Sequence, residues 1–257
     1  MTYSGKVHLV GSGPGDPELL TCKALRLLGC ADVVVHDRLV SAEIMALVPA
    51  RVRRIAVGKA AKCHSVPQDD INTLLVDLAR AGLCVVRLKG GDPLIFGRGS
   101  EEAEALHDAG IAVEYVPGIT AAQGAASSTG VPLTHRGLAT GVRYVTGHRA
   151  GDAPLDLDWD SLASPDTTLV VYMGAANMAE IARELTRRGV SPDLPALAIA
   201  SATTPRECRV LSRLGQVAQD AAGMAAPVLF ILGDVVSLYR ENPVAQIYAE
   251  VRLAAIA

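Results

Sequence analysis

The chain has 257 residues, of which half are hydrophobic and only 4% are aromatic, and its formal net charge is -3 at pH 7. This length favours two small domains over one, because domains commonly contain roughly 100–150 residues. The acidic balance and the scarcity of aromatic side chains argue against a protein that binds nucleic acid through phosphate contacts and base stacking. Arginine outnumbers lysine, so a small polyanionic substrate stays open.

The cysteines and the N-terminus bear on compartment and metal binding. No CxxC pair or zinc-type spacing occurs, so we expect reduced thiols and no metal. The N-terminus shows no targeting pattern, and no apolar stretch approaches the roughly 18 residues of a membrane helix. We therefore predict a cytoplasmic protein without membrane or nucleic-acid partners. The five cysteines are Cys22, Cys30, Cys63, Cys84 and Cys208.

In the first half of the chain, short β-branched runs alternate with stretches of helical periodicity. This alternation predicts an α/β domain with a largely parallel sheet. The predicted strands are residues 7–10, 33–35, 54–57, 84–88 and 113–116. The predicted helices are residues 18–28, 41–47, 67–81 and 99–109.

After residues 116–118 the pattern starts again, with a helix of small residues at 119–128 and a Gly-Val-Pro breaker at 130–132. We place a hinge region at 118–136, between an N-terminal α/β domain of residues 1–117 and a C-terminal α/β domain of residues 137–257. Mainly parallel sheets are expected in both. The second half has predicted strands at 143–146, 168–172, 196–200, 209–211 and 228–232, predicted helices at 177–188 and 215–221, and an exposed acidic loop at 150–160.

A glycine-rich turn, GSGPGD, follows the first predicted strand at residues 11–16. A dinucleotide fingerprint requires a third glycine where Asp16 stands. Pro14 and Pro17 also lack the N–H groups that would hold a pyrophosphate. The turn therefore favours contact with an uncharged or zwitterionic cofactor over phosphate binding.

Two charged residues follow other predicted strands. Asp37 comes after the strand at 33–35, where open α/β sheets place their chemistry, so it is a candidate general base or ribose ligand. Lys59 follows the strand at 54–57 and could orient a carboxylate, bind an acidic substrate or donate a proton. For both residues a solvated surface charge is the alternative.

The most informative segment is KGGDPLIFGRGSE at residues 89–101. A strand ends in paired glycines, which let a ligand approach the backbone, and Asp92 could accept a hydrogen bond from an ammonium or hydroxyl group. Arg98 and Glu101 then open a helix. A purely structural turn could use the same glycines, but their density favours a ligand site.

Taken in order, these segments resemble the tetrapyrrole methylase family, and most closely its members that methylate uroporphyrinogen III. The likeness covers nearly the whole chain, and the ordered set is much more specific than any single motif. The matching segments are GSGPGD at 11–16, VHDRL at 35–39, VGK at 57–59, KGGDPLIFGRGSE at 89–101, VPGITA at 116–121, PLTHR at 132–136, TGH at 146–148 and YMG at 172–174.

The resemblance implies two α/β domains with the cofactor in the cleft between them, and usually a homodimer. It also implies transfer of two methyl groups from S-adenosyl-L-methionine to C2 and C7 of uroporphyrinogen III, giving precorrin-2 and S-adenosyl-L-homocysteine. Whether the product feeds siroheme, cobalamin or haem d1 stays open. Alternatives are another precorrin C-methyltransferase, a nicotinamide-dependent oxidoreductase and a non-catalytic tetrapyrrole carrier.

The same resemblance assigns roles to individual residues. Asp37 and Lys59 match the proposed base and acid, and Arg98 and Glu101 match groups at the substrate. The implied cofactor contacts are Pro14, Gly90, Gly91, Asp92, Ile95, Thr120, Ala121, Met173, Ala202 and Ala226. The implied substrate contacts are Arg38, His64, Arg98, Glu101, His135, Arg136 and Met173. The chain departs from the pattern at Ala60 and Lys62, where relatives commonly have arginine and glycine.

Overall fold

In a computed structural model, which describes residues 5–58, 66–148 and 155–240, the chain divides into two units. These are Met1–Thr120 and Ala121–Ala257. The division lies inside the region that we predicted as a hinge, and the helix of small residues that follows it belongs to the second unit.

The first unit contains a five-stranded sheet in the order β3-β2-β4-β1-β5, and every pairing in it is parallel. The central strands are buried on both faces, which explains their valine-rich runs. The parallel sheet predicted for this half is confirmed. The strands are β1 (Lys6–Gly11), β2 (Val33–His36), β3 (Arg53–Ala56), β4 (Cys84–Lys89) and β5 (Ala112–Val116).

Helices pack on both faces of this sheet. α1 begins later than predicted, because the Asp16 carboxylate accepts the Glu18 N–H and starts a separate 3₁₀ turn at Pro17–Leu19. The Thr21 hydroxyl then accepts the Ala24 N–H and caps the helix. The helices are α1 (Cys22–Cys30), α2 (Ala42–Ala46), α3 (Gln68–Arg80) and α4 (Gly99–Asp108).

The second unit has a sheet in the order β6-β7-β10-β8-β9, in which only β6 and β7 pair in parallel. The other three pairings are antiparallel, so the prediction of a mainly parallel second sheet was wrong. Only residues 201–207 join β8 to β9, which is too short for a parallel crossover. The strands are β6 (Gly141–Thr146), β7 (Thr167–Tyr172), β8 (Pro195–Ala200), β9 (Cys208–Arg213) and β10 (Val228–Leu232).

Helix α7 supplies much of the second core through Met178, Ile181 and Leu185, which recur at helical spacing and are buried. Residues 150–154 of the acidic stretch predicted as an exposed loop lie outside the described residues. In the rest, Asp156, Asp158 and Asp160 are exposed as predicted, whereas Leu155 is buried and a helical turn, α6, begins at Trp159. The helices are α5 (Ala121–Thr129), α6 (Trp159–Leu162), α7 (Met178–Arg187) and α8 (Val217–Asp220).

The described residues contain neither a membrane-spanning helix nor a cluster of metal-ligating side chains. No helix there is long and apolar enough to cross a bilayer. Nor do three or more His, Cys, Asp or Glu side chains converge there as metal ligands would.

Glu114 on β5 binds two lysines, with Oε1 2.5 Å from Lys23 Nζ and Oε2 3.0 Å from Lys6 Nζ. The Lys23 contact, followed by the Lys6 contact, lowers the pKa of the Glu114 carboxyl from 4.5 to about 2. The stability gained from these contacts is therefore fully present above about pH 4.5 and is lost as the pH falls towards 2.

We expect Glu114→Gln to lower the free energy of unfolding at pH 7 by about 1 kcal/mol or less, because Glu114 and its lysine partners are partly exposed to solvent. The gap from the wild type should close between pH 5 and pH 2, as urea titrations at several pH values can measure. A gap that stayed constant over this range would contradict the assignment.

Candidate functional site

The predicted site residues of the first unit follow the carboxyl ends of its parallel strands, which all lie at one edge of the sheet. The loops after β1 and β4 are joined there by two backbone hydrogen bonds. The Gly13 N–H donates to the Gly91 carbonyl over 3.1 Å, and the Gly91 N–H donates to the Gly13 carbonyl over 2.8 Å. The two loops therefore form one connected surface.

Asp92 connects these loops to the segment after β5. Its Oδ2 accepts the Gly118 N–H over 3.0 Å, and its Oδ1 accepts the Leu94 N–H over 2.8 Å. Each carboxylate oxygen has a further lone pair, so Asp92 could still accept from a ligand. Its observed role is to hold the strand-end loops together.

Gly118 allows the backbones of three loops to approach closely. A Cβ at this position would lie 2.2 Å from the Gly91 carbonyl oxygen and 2.8 Å from Gly11 Cα. Glycine is therefore required at this edge because backbones touch there. The sequence alone could not distinguish this reason from the need to leave space for a ligand.

We expect Gly118→Ala to lower the free energy of unfolding by about 1–3 kcal/mol, because only backbone atoms could move to make space. Gly29→Ala is the matched control. A Cβ there has nothing within 4 Å in helix α1, so it should raise stability by about 0.5–1 kcal/mol. Thermal unfolding followed by circular dichroism would measure both, and equal melting temperatures for Gly118→Ala and the wild type would contradict the close contact.

Asp37 lies at this edge directly after β2 and forms the outer end of a buried charge cluster. We use the name Asp37 cluster for Asp37, Arg87, Lys89 and Glu102. Arg87 Nη2 is 2.6 Å from Asp37 Oδ1 and 2.9 Å from Glu102 Oε1, and Lys89 Nζ is 2.8 Å from Glu102 Oε1. The cluster holds two positive and two negative charges, and Asp37 is its most exposed member.

Three members of this cluster have no role in the sequence analysis. A signal for them does exist, because Arg87 sits between Val86 and Leu88 in a strand that reads as fully buried. The alternation of side chains in a strand puts Arg87 and Lys89 on the same face, so both need a buried acidic partner. Sequence spacing does not identify that partner as Glu102 on α4.

The segment after Asp92 presents exposed side chains. Leu94, Ile95 and Phe96 are exposed apolar residues, and Phe96 and Arg98 have positive φ angles of 53° and 58°. Such conformations cost energy and cluster at functional sites.

Arg98 and Glu101 pair at the start of α4, with the Arg98 Nη2 and Glu101 Oε2 atoms 2.6 Å apart. The hydrogen bond with Arg98 lowers the pKa of the Glu101 carboxyl, and the bond with Glu101 raises the pKa of Arg98. Both side chains are about half exposed, so the pair is accessible to a substrate.

Two other predicted residues of the first unit flank these loops. Arg38 is exposed next to Asp37. Pro14 is half-buried in the turn after β1, which the Ser41 hydroxyl supports by donating to the Gly15 carbonyl over 2.7 Å. Lys59 and His64 lie outside the described residues.

In the second unit, Met173, Ala202 and Ala226 lie at one edge of the sheet. β7 and β8 both run antiparallel to β10, so the ends of β7 and β8 and the start of β10 coincide. Positive φ angles mark this edge at Met173 (54°), Ser201 (52°) and Thr203 (66°). Non-glycine residues rarely adopt this conformation, and its recurrence beside three predicted contacts is consistent with a binding edge.

Ala121 begins α5, and the next N–H, that of Ala122, donates to the Tyr172 hydroxyl over 3.1 Å. This bond links the start of α5 to the side chain of the last residue of β7. Thr120 is buried just before the helix, as the last residue of the first unit.

His135 and Arg136 are not brought to this edge. They are exposed in a turn closed by hydrogen bonds between the backbones of His135 and Ala139, at the end where β6 begins. Met173 instead follows the end at which the neighbouring parallel strand β7 finishes.

The chain is similar to known proteins over most of its length. The family described as Tetrapyrrole (Corrin/Porphyrin) Methylases matches residues 6–218. A uroporphyrinogen-III C-methyltransferase of Paracoccus denitrificans is 66% identical over 91% of this chain and 82% of its own length. A siroheme synthase of Chromobacterium violaceum is 51% identical over 91% of this chain, which spans 50% of that longer protein.

Among solved structures, uroporphyrin-III C-methyltransferase of Thermus thermophilus in complex with S-adenosyl homocysteine matches with a TM-score of 0.79. It is 47% identical, and the match covers 91% of this chain and all of that one. The family match and the identity over most of both chains lead to one conclusion: the chain belongs to the tetrapyrrole methylase family.

Proposed function

We propose that the chain is an S-adenosyl-L-methionine-dependent C-methyltransferase that adds methyl groups at C2 and C7 of uroporphyrinogen III to give precorrin-2. The observation that carries this proposal is the Asp37 carboxylate, held at the carboxyl edge of the parallel sheet by buried cations. The names of the Paracoccus and Thermus relatives support the substrate, and the S-adenosyl homocysteine in the Thermus structure supports the cofactor.

S-adenosyl-L-methionine supplies a methyl group bound to a sulfonium sulfur, and the thioether that remains after transfer is a good leaving group. The protein must then align the ring carbon, exclude water and accept a proton. The ring carbon forms its new bond with a π electron pair, the thioether leaves with the carbon–sulfur pair, and the ring system loses one proton. Asp37 is the proposed acceptor of that proton.

The residues proposed to hold the cofactor fit its mixed chemistry. Asp92 retains acceptor capacity for ammonium or hydroxyl groups. Ile95 and Met173 expose apolar surface, and Ala202 and Ala226 are small, so the backbone beside them can be reached. The other proposed cofactor contacts are Pro14, Gly90, Gly91, Thr120 and Ala121.

The substrate carries several carboxylates, and a guanidinium binds such groups through paired hydrogen bonds. Arg98 is exposed at the same sheet edge as Asp37, and Glu101 keeps its side chain in place. The proposal extends this substrate-binding role to Arg38, His64 and Met173, and assigns the acid to Lys59. His135 and Arg136, which the family resemblance also implies as substrate contacts, lie at the opposite end of the second sheet from Met173, so the structure gives them no support in this role.

A direct test is to incubate the purified protein anaerobically with uroporphyrinogen III and ¹³C-methyl S-adenosyl-L-methionine. We expect two labelled methyl groups per ring, which mass spectrometry counts and carbon NMR assigns to C2 and C7. Labels on other carbons would indicate a different precorrin methyltransferase, and no transfer would overturn the proposal.

A cheaper measurement separates the methyltransferase from a nicotinamide-dependent oxidoreductase. Calorimetry should show binding of S-adenosyl-L-homocysteine and none of NAD, because Asp16 replaces the third glycine of the dinucleotide fingerprint.

We also propose that the protein acts as a homodimer in the cytoplasm, as the family resemblance implies. Light scattering would test the dimer, and a monomeric mass at micromolar concentration would contradict it.

A further inference from the structure

We propose that Arg87, supported by Glu102 and Lys89, is a positioning residue that fixes the Asp37 carboxylate so that its Oδ2 accepts the proton. This inference rests on the proposed function, in which Asp37 is the base. The proposed role of Arg87, Lys89 and Glu102 involves no contact with substrate, because all three act through Asp37.

The Arg87 guanidinium links Asp37 to the buried members of the Asp37 cluster. It bridges two carboxylates, because Nη2 lies 2.6 Å from Asp37 Oδ1 while Nε and Nη2 lie 3.1 Å and 2.9 Å from Glu102 Oε1. The planar group can satisfy both partners only in one orientation. With 1% of its surface exposed, Arg87 has little freedom to leave it.

The two oxygens of the Asp37 carboxylate differ in their contacts. Oδ1 accepts from Arg87, whereas Oδ2 accepts no hydrogen bond from the described residues and lies 3.6 Å from Lys89 Nζ. The backbone N–H of Asp37 donates to the Leu88 carbonyl over 3.3 Å and fixes the base of the side chain. The carboxylate is therefore held from two sides. Among the described residues, Oδ2 pairs with the Lys89 ammonium without a hydrogen bond, so Oδ2 is the oxygen left to accept a proton.

Burial of the charges in the Asp37 cluster has a cost in folding free energy. Removing ionised groups from water is expensive, and apolar residues of similar size often stabilise a core as well or better. Glu102 Oε1 accepts from both cations and from Gln68, yet the buried Oε2 has no hydrogen-bond partner among the residues that the structure describes. A cluster that leaves a buried carboxylate oxygen unsatisfied is poorly explained by stability, and better by the orientation it gives Asp37.

The experiment is a double-mutant cycle on methyl transfer with the variants Arg87→Lys, Asp37→Asn and the two combined. Lysine keeps the charge but cannot bridge both carboxylates. We expect Arg87→Lys to lower kcat about 10–100-fold, since small displacements of a catalytic group have effects of this size. KM for uroporphyrinogen III and affinity for S-adenosyl-L-homocysteine should stay within about twofold of the wild type.

The decisive comparison is between the double variant and Asp37→Asn. If Arg87 acts through Asp37, adding Arg87→Lys to Asp37→Asn should lower kcat no further. If it lowers kcat by the same factor as in the wild type, Arg87 acts independently and the proposal is overturned. Arg213→Lys, at an exposed pair with Asp193 in the second unit, is the matched control and should leave kcat unchanged.

A second readout does not depend on activity. In urea unfolding of the same four proteins, the midpoint shift of the double variant should be smaller than the sum of the two single shifts. Additive shifts would overturn the positioning claim. If Arg87→Lys does not fold, Glu102→Gln replaces it in both cycles. A folded wild type that methylates no uroporphyrinogen III overturns the proposed function, and the unfolding cycle then decides the contact by itself.

Discussion

Replacing Asp37 with asparagine should lower kcat for methyl transfer about 10²–10⁴-fold, the usual contribution of a positioned general base. Asparagine keeps the shape of the side chain and can still accept a hydrogen bond from Arg87, but it cannot take the proton released by the ring. KM for uroporphyrinogen III and affinity for S-adenosyl-L-homocysteine should change little. Initial rates with labelled cofactor and calorimetry with the product would measure these quantities.

The matched control lies at the other end of the same strand. Asp32 precedes β2, is exposed, and accepts the Cys84 N–H over 2.8 Å. Asp32→Asn makes the same chemical change away from the predicted site, so kcat should stay within about twofold of the wild type. Wild-type turnover in Asp37→Asn would remove Asp37 from the reaction, and an equal loss in Asp32→Asn would show that the effect is not local.

The contrast between the two sheets shows how far the sequence could predict the fold. The central strands of both sheets gave β-branched or apolar runs, because burial of a strand selects those residues locally. Pairing direction depends on where a strand inserts, and β10 inserts between β7 and β8, which no local pattern reveals. The connection at residues 201–207 is too short for a parallel crossover, so its length in the sequence indicated that β8 and β9 pair in antiparallel fashion.

The candidate site divides in a similar way. Asp37 and Asp92 could be predicted because they follow strands, and the ends of parallel strands meet at one edge. The partnership of Arg87 with Glu102 could not, because it joins a strand to a helix through side chains 15 residues apart in sequence. The glycines after the strands were predicted to let a ligand approach the backbone, but contacts between backbones explain Gly118 without a ligand.

Replacing Glu102 with alanine should lower the free energy of unfolding by about 3–5 kcal/mol, as removal of one partner from a buried ion pair does. The side chain is fully buried, and its loss leaves Arg87 and Lys89 with Asp37 as their shared partner. Urea unfolding followed by circular dichroism would measure the change. Glu104→Ala is the control on the same helix, and because Glu104 is exposed its effect should stay within about 0.5 kcal/mol. Equal effects of the two substitutions would contradict the energetic role of the cluster.

A triple replacement separates stability from positioning. Changing Arg87 to Met, Lys89 to Met and Glu102 to Leu removes the buried charges together, so no ion is left without a partner in the core. Such exchanges are often neutral or stabilising, and the free energy of unfolding should return to near the wild-type value. Asp37 would stay partly hydrated but lose its contact with Arg87. We therefore expect kcat to be well below the wild-type value even though the free energy of unfolding is restored. Recovery of both stability and turnover would mean that the buried ions serve neither the fold nor the reaction.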